Sequence, residues 1–312
     1  MKTNLLSILV PCYNESECLP LFYEELCKVA ATLPCPSEIV FVNDGSTDDT
    51  LECIRAMQQH DARIACVDLS RNFGKEIAMS AGIDYILGDA LVILDADLQH
   101  PPALIPEMLE GIEAGFDDVY GRRFSQRHER RRKRWLSWLY YRFLKAISHI
   151  EIQENTGDFR MLSAKAIDAL RRIKESERNM KGLFSYIGFH KKCIPYEQPP
   201  RIAGNTKWNF LQLLDLAIKG WTSFSVIPLR IISFVGFLVA VTAFFYFVFV
   251  LVKTIIFGDP VGGYPSMMCV ILFLGGLVLL ALGIIGEYLG IIYQETKHRP
   301  QYFVNEVWRS EY

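Results

Sequence analysis

No charged residue occurs between positions 231 and 252, a run of about 22 residues. A helix needs about 20 consecutive apolar residues to cross the hydrocarbon core of a bilayer. A second uncharged run covers 260–286, and only Lys253 and Asp259 with a Gly262-Gly263-Tyr264-Pro265 turn separate the two. Both runs are apolar on every side, unlike the amphipathic helices of soluble proteins. They predict a hairpin of two membrane-spanning helices, at about 230–253 and 265–289. Arg230 precedes the first span, and Lys297, His298 and Arg299 follow the second. The positive-inside tendency then puts both termini on the cytoplasmic face of the inner membrane, as a multi-pass protein. Glu287, near the inner end of the second span, reads as an interfacial residue, with a functional intramembrane carboxylate as the alternative.

The rest of the 312 residues has the makings of a folded domain: 51% of the chain is apolar and 22% charged, which excludes a wholly disordered protein. The expected organisation is a domain at 1–205, a juxtamembrane amphipathic segment at 206–229, the two spans within 230–294 and a cytoplasmic tail at 295–312. Within the first domain, His128 to Arg134 is strongly basic and runs into Trp135, Trp138, Tyr140 and Tyr141. Basic residues followed by interfacial aromatics suit an anionic leaflet, so 128–147 reads as a helix lying on the membrane. Nucleic acid is not expected as a partner. The eight cysteines include no C-x-x-C pair, which favours free thiols in a reducing compartment over a disulfide framework. The apolar stretch at 5–10 is short and stopped by Pro11; it reads as a first strand rather than a secretion signal.

From 1 to about 120, short apolar runs alternate with helical patterns. Strands are predicted at 5–10, 38–43, 64–69 and 90–94, and helices at 17–32, 48–60, 76–86 and 102–114. That order implies a largely parallel sheet covered on both faces, in which ligands bind beyond the carboxyl ends of the strands. Those ends carry Pro11-Cys12-Tyr13-Asn14-Glu15, Asn43-Asp44-Gly45-Ser46, Arg71-Asn72-Phe73-Gly74-Lys75 and Asp95-Ala96-Asp97-Leu98-Gln99-His100. Neither G-x-G-x-x-G nor G-x-x-x-x-G-K-[ST] is present, which disfavours a dinucleotide dehydrogenase and a P-loop NTPase. Asp95 and Asp97, two residues apart at the end of a buried strand, repel each other unless a cation is near. Mg²⁺ or Mn²⁺ would accept their oxygens and fill its remaining positions with substrate phosphates.

These motifs resemble family 2 glycosyltransferases of the GT-A fold. Arg71-Asn72-Phe73-Gly74-Lys75, Asp95-Ala96-Asp97-Leu98-Gln99-His100-Pro101, Gly157-Asp158-Phe159-Arg160 and Arg201-Ile202-Ala203-Gly204-Asn205-Thr206-Lys207 resemble the polyprenyl-phosphate glycosyltransferases more narrowly. With its two-span C-terminus, the chain is similar to the bacterial bactoprenol (undecaprenyl-phosphate) glucosyltransferases, relatives of the dolichol-phosphate mannosyltransferases. The resemblance implies a Rossmann-like GT-A catalytic domain followed by the membrane hairpin. It implies that Pro11, Tyr13, Glu15 and Asp44 hold the nucleotide, with Lys75 alongside. Asp95, Asp97 and Gln99 would hold the metal and diphosphate, and Asp158 would stand near the acceptor. Arg122, Arg134, Arg201 and Lys207 would serve the phosphates, with surface ion pairs an even alternative for Arg122 and Arg134, and Arg160 would belong to the cofactor-binding set.

The implied reaction is an inverting transfer of a hexose to undecaprenyl phosphate at the cytoplasmic leaflet, feeding surface-glycan (lipopolysaccharide O-antigen) modification. UDP-glucose ranks first as donor; GDP-mannose, UDP-GlcNAc and an aminoarabinose nucleotide are alternatives that no residue separates. A separate flippase is expected, and family relatives imply a homotetramer. A phosphate acceptor, with a second pKa of about 6, is already largely deprotonated. Asp158 is therefore expected to position rather than to act as base, with base catalysis the alternative. A processive polysaccharide synthase is disfavoured because Arg131 stands where Q-x-x-R-W requires Gln before Arg134-Trp135. An idle nucleotide-sugar or lipid-translocating protein is disfavoured by the intact acidic set.

Overall fold

The computed structural model describes residues 2–123, 156–175, 178–197, 234–239, 241–242, 245–246, 248–249, 252, 256 and 263–309. In chain order these contain β1 (Leu6–Cys12), α1 (Leu19–Ala30), β2 (Ser37–Asn43), α2 (Thr50–His60), β3 (Ile64–Leu69), α3 (Lys75–Tyr85) and β4 (Ala90–Ile93). A 3-10 turn at Pro102–Leu104 leads into α4 (Ile105–Glu113) and β5 (Asp118–Arg123). Then follow β6 (Thr156–Ser163), α5 (Ala164–Arg172), α6 (Met180–Tyr186), β7 (Lys191–Tyr196), α7 (Tyr264–Thr296) and β8 (Val304–Arg309). The basic segment 128–147, Arg134, Arg201, Lys207 and the juxtamembrane segment 206–229 lie outside the described residues, as does most of the first expected span.

One sheet holds all eight strands, in the order β7-β5-β6-β4-β1-β2-β3-β8. Its centre follows the sequence pattern: β1 pairs in parallel with β2 and β4, and β2 with β3. The flanks are mixed. β6 runs antiparallel to both β4 and β5, β5 pairs in parallel with β7, and β8 runs antiparallel to β3. The expectation of a largely parallel sheet thus holds for the four predicted strands, while the strands that add antiparallel pairs lack the continuous apolar runs that made the others legible.

The central strands are buried on both faces. Ile8 and Val10 of β1, Phe41 of β2 and Val92 of β4 pack with Phe22 and Leu26 of α1, Ile54 of α2 and Met108 of α4. Their alternates Leu9, Val40, Val42 and Ile93 pack on Ala78 and Met79 of α3 and Ile167 of α5. Period-two alternation along each strand therefore feeds two separate cores, as a sheet covered on both faces requires. Local signals set the helix starts: Pro20 and Pro106 lie in the first turns of α1 and α4. Ser163 caps α5 by accepting the Ala166 N–H, and Asn179 caps α6 through the Gly182 N–H.

The chain divides into two compact units, 1–208 with 299–312, and 209–298. The second contains α7, whose stretch Phe273–Thr296 is, among the described residues, the one helix long and apolar enough to cross a membrane. At about 1.5 Å per residue its 24 residues reach some 36 Å, more than the roughly 30 Å of hydrocarbon. The described positions within 234–256 are helical, but a two-helix hairpin is not established by them. The segment expected to be a tail supplies β8 to the eight-stranded sheet.

Candidate active site

The loops after β1, β2, β3 and β4 enclose a cleft of about 280 Å³. Pro11, Tyr13, Glu15, Asp44, Lys75, Asp95 and Asp97, all expected from the sequence, line it together with Asn72 and Gly74. Backbone and side chains lace the loops to one another. The Asn14 N–H donates to Ser46 Oγ (3.0 Å), and Asn14 Oδ1 accepts the Thr47 N–H (2.8 Å). Gly45 has φ +63°, and a Cβ there would collide with the Arg71–Asn72 backbone. Only glycine allows the second and third loops to approach so closely.

Asp44 is almost wholly buried. Its two oxygens accept the N–H groups of Phe73 (2.7 Å) and Gly74 (2.9 Å). Burial raises its carboxyl above the usual value, against the pull of those two amides. The clamp fixes the corner at Gly74 (φ +94°) from which α3 departs, and so places the first residue of that helix, Lys75.

Lys75 is the centre of the charge arrangement. Its Nζ lies 2.6 Å from Asp95 Oδ1 and 2.8 Å from Asp158 Oδ2. Burial works to lower the ammonium, but Asp95 and Asp158 together hold it above its ordinary value. Asp158 projects from β6 and is buried. Burial pushes its carboxyl up; Lys75 first, then Lys181 and Arg160, outweigh that and hold it below the usual carboxylate range. Asp158 is therefore ionised in neutral solution. Asp97 Oδ1 accepts the Gln99 N–H (3.1 Å) across Leu98, which adopts φ +58°. A branched residue in that left-handed region costs of order 1–2 kcal/mol; Asp97 and Asp95 both line the cleft.

Among the described residues no group of three or more His, Cys, Asp or Glu side chains forms a complete metal cluster. The donor set at the cleft is two hard carboxylates, Asp95 and Asp97. Such a pair fits a Mg²⁺ or Mn²⁺ ion that takes its other ligands from diphosphate oxygens and water; it does not fit a structural zinc site. Gln99 is not among the lining residues.

Arg160 stands two residues beyond Asp158 on β6, but it is buried against Asp118 (Nη1 to Oδ2, 2.9 Å) with its guanidinium 3.8 Å from the Phe184 ring centroid. It does not line the cleft. Arg122 is exposed at the end of β5; the strand alternation turns Arg123 the other way. A Cβ on Gly157 would stand 3.0 Å from Arg123 Nη2 and 3.3 Å from His100 Nε2. His100, fully buried, accepts the Asp95 N–H at Nδ1 (3.2 Å) and stacks on Phe159 at 5.1 Å, with Tyr196 edge-on. That bond assigns the proton of the neutral ring to Nε2; burial holds its pKa below the ordinary value. His100, Arg123 and Tyr196 are the site-side residues that the sequence reading missed. His100 adjoins the D-x-D motif and was visible there, whereas Arg123 needed the strand register.

Comparison with known proteins adds the family. The profile described as glycosyl transferase family 2 matches residues 7–171. An uncharacterized glycosyltransferase of Synechocystis is 43% identical over 307 residues, covering 98% of this chain and 96% of that protein. A bactoprenol glucosyl transferase of Shigella phage SfX is 41% identical over 299 residues, covering 96% and 98%. Among solved structures, glucosyl-3-phosphoglycerate synthase of Mycobacterium tuberculosis, in complex with Mn²⁺, UDP and phosphoglyceric acid, matches with a TM-score of 0.48. It is 16% identical, and the match covers 70% of this chain and 76% of that one. With the profile spanning β1 through α5 and relatives matched nearly end to end, the chain belongs to glycosyl transferase family 2.

Proposed function

We propose that this protein transfers a hexose, glucose from UDP-glucose, to undecaprenyl phosphate at the cytoplasmic leaflet, inverting the anomeric centre. The observation that carries the reading is the reach of the similarity. The family profile ends at residue 171, yet proteins named bactoprenol glucosyl transferase match 96% of the chain or more. The shared part therefore extends through the apolar C-terminal region, the part a soluble glycosyltransferase does not need.

Each residue has a role that follows from its surroundings. Pro11, Tyr13 and Glu15 face the nucleotide, and Asp44 sets the loop beside it. Asp95 and Asp97 would hold Mg²⁺ or Mn²⁺, with Gln99 shaping their turn; when bound, the ion neutralises charge developing on the departing diphosphate. The acceptor phosphate, with a second pKa of about 6, arrives largely deprotonated and requires orientation rather than proton removal. Asp158, already ionised and paired with Lys75, suits positioning. Arg201 and Lys207, just ahead of the membrane region, are proposed to meet the lipid phosphate, with Arg122 and Arg134 assisting.

Chain connectivity supports two membrane crossings. The polypeptide leaves the sheet-bearing unit after 208 and returns to it at 299 to form β8. A folded sheet lies on one side of a bilayer, so an intervening segment that crosses does so an even number of times. If α7 crosses, the uncharged run at 231–252 is the natural partner. Such an anchor replaces a search in solution by a high local concentration of acceptor. Two helices would offer no path for the product, so a separate flippase belongs to this reading.

A donor panel tests the function. Purified protein with undecaprenyl phosphate and Mg²⁺ or Mn²⁺ should move label from UDP-glucose into the organic phase. Label from GDP-mannose, UDP-GlcNAc or an aminoarabinose nucleotide instead would replace the donor; no organic-phase label from any of them would overturn the reaction.

A further inference from the structure

Asp95 follows β4 by two residues, and Asp158 lies on β6, the antiparallel neighbour of β4. Two carboxylates on adjacent strands at the rim of a buried sheet repel each other. Here one lysine answers both: Lys75 contacts an oxygen of each at 2.6 and 2.8 Å. The lysine is placed there by the fold rather than by chance extension of a surface side chain. Asp44 holds the two preceding amides, and Gly74 turns the chain into α3. Glu76, the next residue, is fixed as well, since its Oε2 accepts the Met180 N–H at 2.7 Å.

We propose that Lys75 is the resident counter-cation of the Asp95–Asp158 pair and that it competes with the divalent ion for Asp95. The proposal rests on the reading of Asp95 and Asp97 as metal ligands given above. Asp95 Oδ1 is engaged by the ammonium at 2.6 Å, so a cation that uses this oxygen displaces Lys75 from it. Asp158 retains a hold on the ammonium during the exchange. The displaced charge then faces the same cleft that Asp97 and Tyr13 line, where a donor diphosphate would accept it. Metal alone meets a competitor, whereas metal arriving with a diphosphate gives the lysine a new partner. The consequence is a site that takes up its ion with the donor rather than before it.

The test measures Mn²⁺ binding by electron paramagnetic resonance on the full chain in detergent, without nucleotide. K75Q should bind Mn²⁺ at least about fivefold more tightly than the parent, because a charge in direct contact with the ligand oxygen is removed. K181Q removes a charge that acts on Asp158 but has no described contact with Asp95; it should stay within about twofold, since such a charge is screened. D158N, which leaves Lys75 to Asp95 alone, should weaken binding by about threefold or more. Equal or weaker Mn²⁺ binding by K75Q, or a K181Q effect as large as that of K75Q, overturns the proposal. Should K75Q not fold, D158N decides: unchanged affinity there overturns it. D95N separates the two readings, since undiminished Mn²⁺ binding by D95N would refute the metal assignment itself.

Discussion

Asp158 and Arg160 lie two residues apart on one strand, and their surroundings divide their work. Asp158 is buried and does not line the cleft, but it contacts Lys75, which does, whereas Arg160 is enclosed by Asp118 and Phe184. A positioning carboxylate loses little when its charge alone is removed. D158N should therefore lower the rate by about tenfold, roughly 1.4 kcal/mol, with an unaltered pH profile. Near-total loss recovered at high pH would identify a base. Arg160→Ala strips the nearer partner from the buried Asp118 carboxylate, leaving it Lys191 at 4.0 Å, a change that costs about 3 kcal/mol. Thermal unfolding should register it as a large fall in stability, while KM for the donor in protein that remains folded should move little.

At the scale of elements, two side-chain clasps decide how loops are held. Asp61 closes α2: it accepts from Arg63 Nη2 (2.7 Å), from the Arg63 N–H (2.9 Å) and from Tyr23 Oη–H of α1 (2.8 Å). Burial pushes its carboxyl up, but the Arg63 and Tyr23 bonds outweigh that and bring it down to about 2. A carboxyl depressed in the folded state contributes stability above its unfolded pKa of about 3.9. That contribution disappears as pH falls from about 4 through about 2. D61N should cost about 1–2 kcal/mol at neutral pH, allowing for the partly exposed arginine. In acid titrations of thermal stability the difference between D61N and the parent should shrink over that window.

The second clasp belongs to β8. Asn305 Nδ2 donates to Asp68 Oδ2 (3.1 Å), and Asn43 Nδ2 donates to Asp68 Oδ1 (2.7 Å). The last strand thus reaches the residue next to Asp44 through one carboxylate. N305A should raise KM for the nucleotide sugar severalfold and leave kcat nearly unchanged; steady-state kinetics read the split.

For the whole molecule, β8 joins the chain's end to its catalytic sheet. It covers the edge of β3, and Arg309 reaches Glu38 Oε2 at 3.1 Å and the Tyr85 carbonyl at 2.7 Å. An uncovered strand edge invites pairing with another chain. Truncation after residue 303 should therefore lower the melting temperature of the catalytic unit and promote aggregation, visible by light scattering.

Local pattern alone determined the parallel centre of the sheet, the cluster of polar strand ends, the Asp95–Asp97 motif and the apolar C-terminal region. Those features repeat every two or 3.6 residues or sit within a few positions of each other, so sequence carries them directly. The flanks were not legible in this way. β5 reads Asp118-Val119-Tyr120-Gly121-Arg122-Arg123, and β6 mixes Asp158 and Arg160 among apolar residues. Neither has the continuous apolar run that marks a strand buried on both faces. Tertiary structure decided that Lys75 rather than open water lies between Asp95 and Asp158, that His100 backs Asp95, and that Arg123 rather than Arg122 turns toward Gly157. It also decided that the end of the chain returns to β3. The contacts of Lys75 with Asp158 and of β8 with β3 join residues dozens to hundreds of positions apart, and only folding brings such groups together.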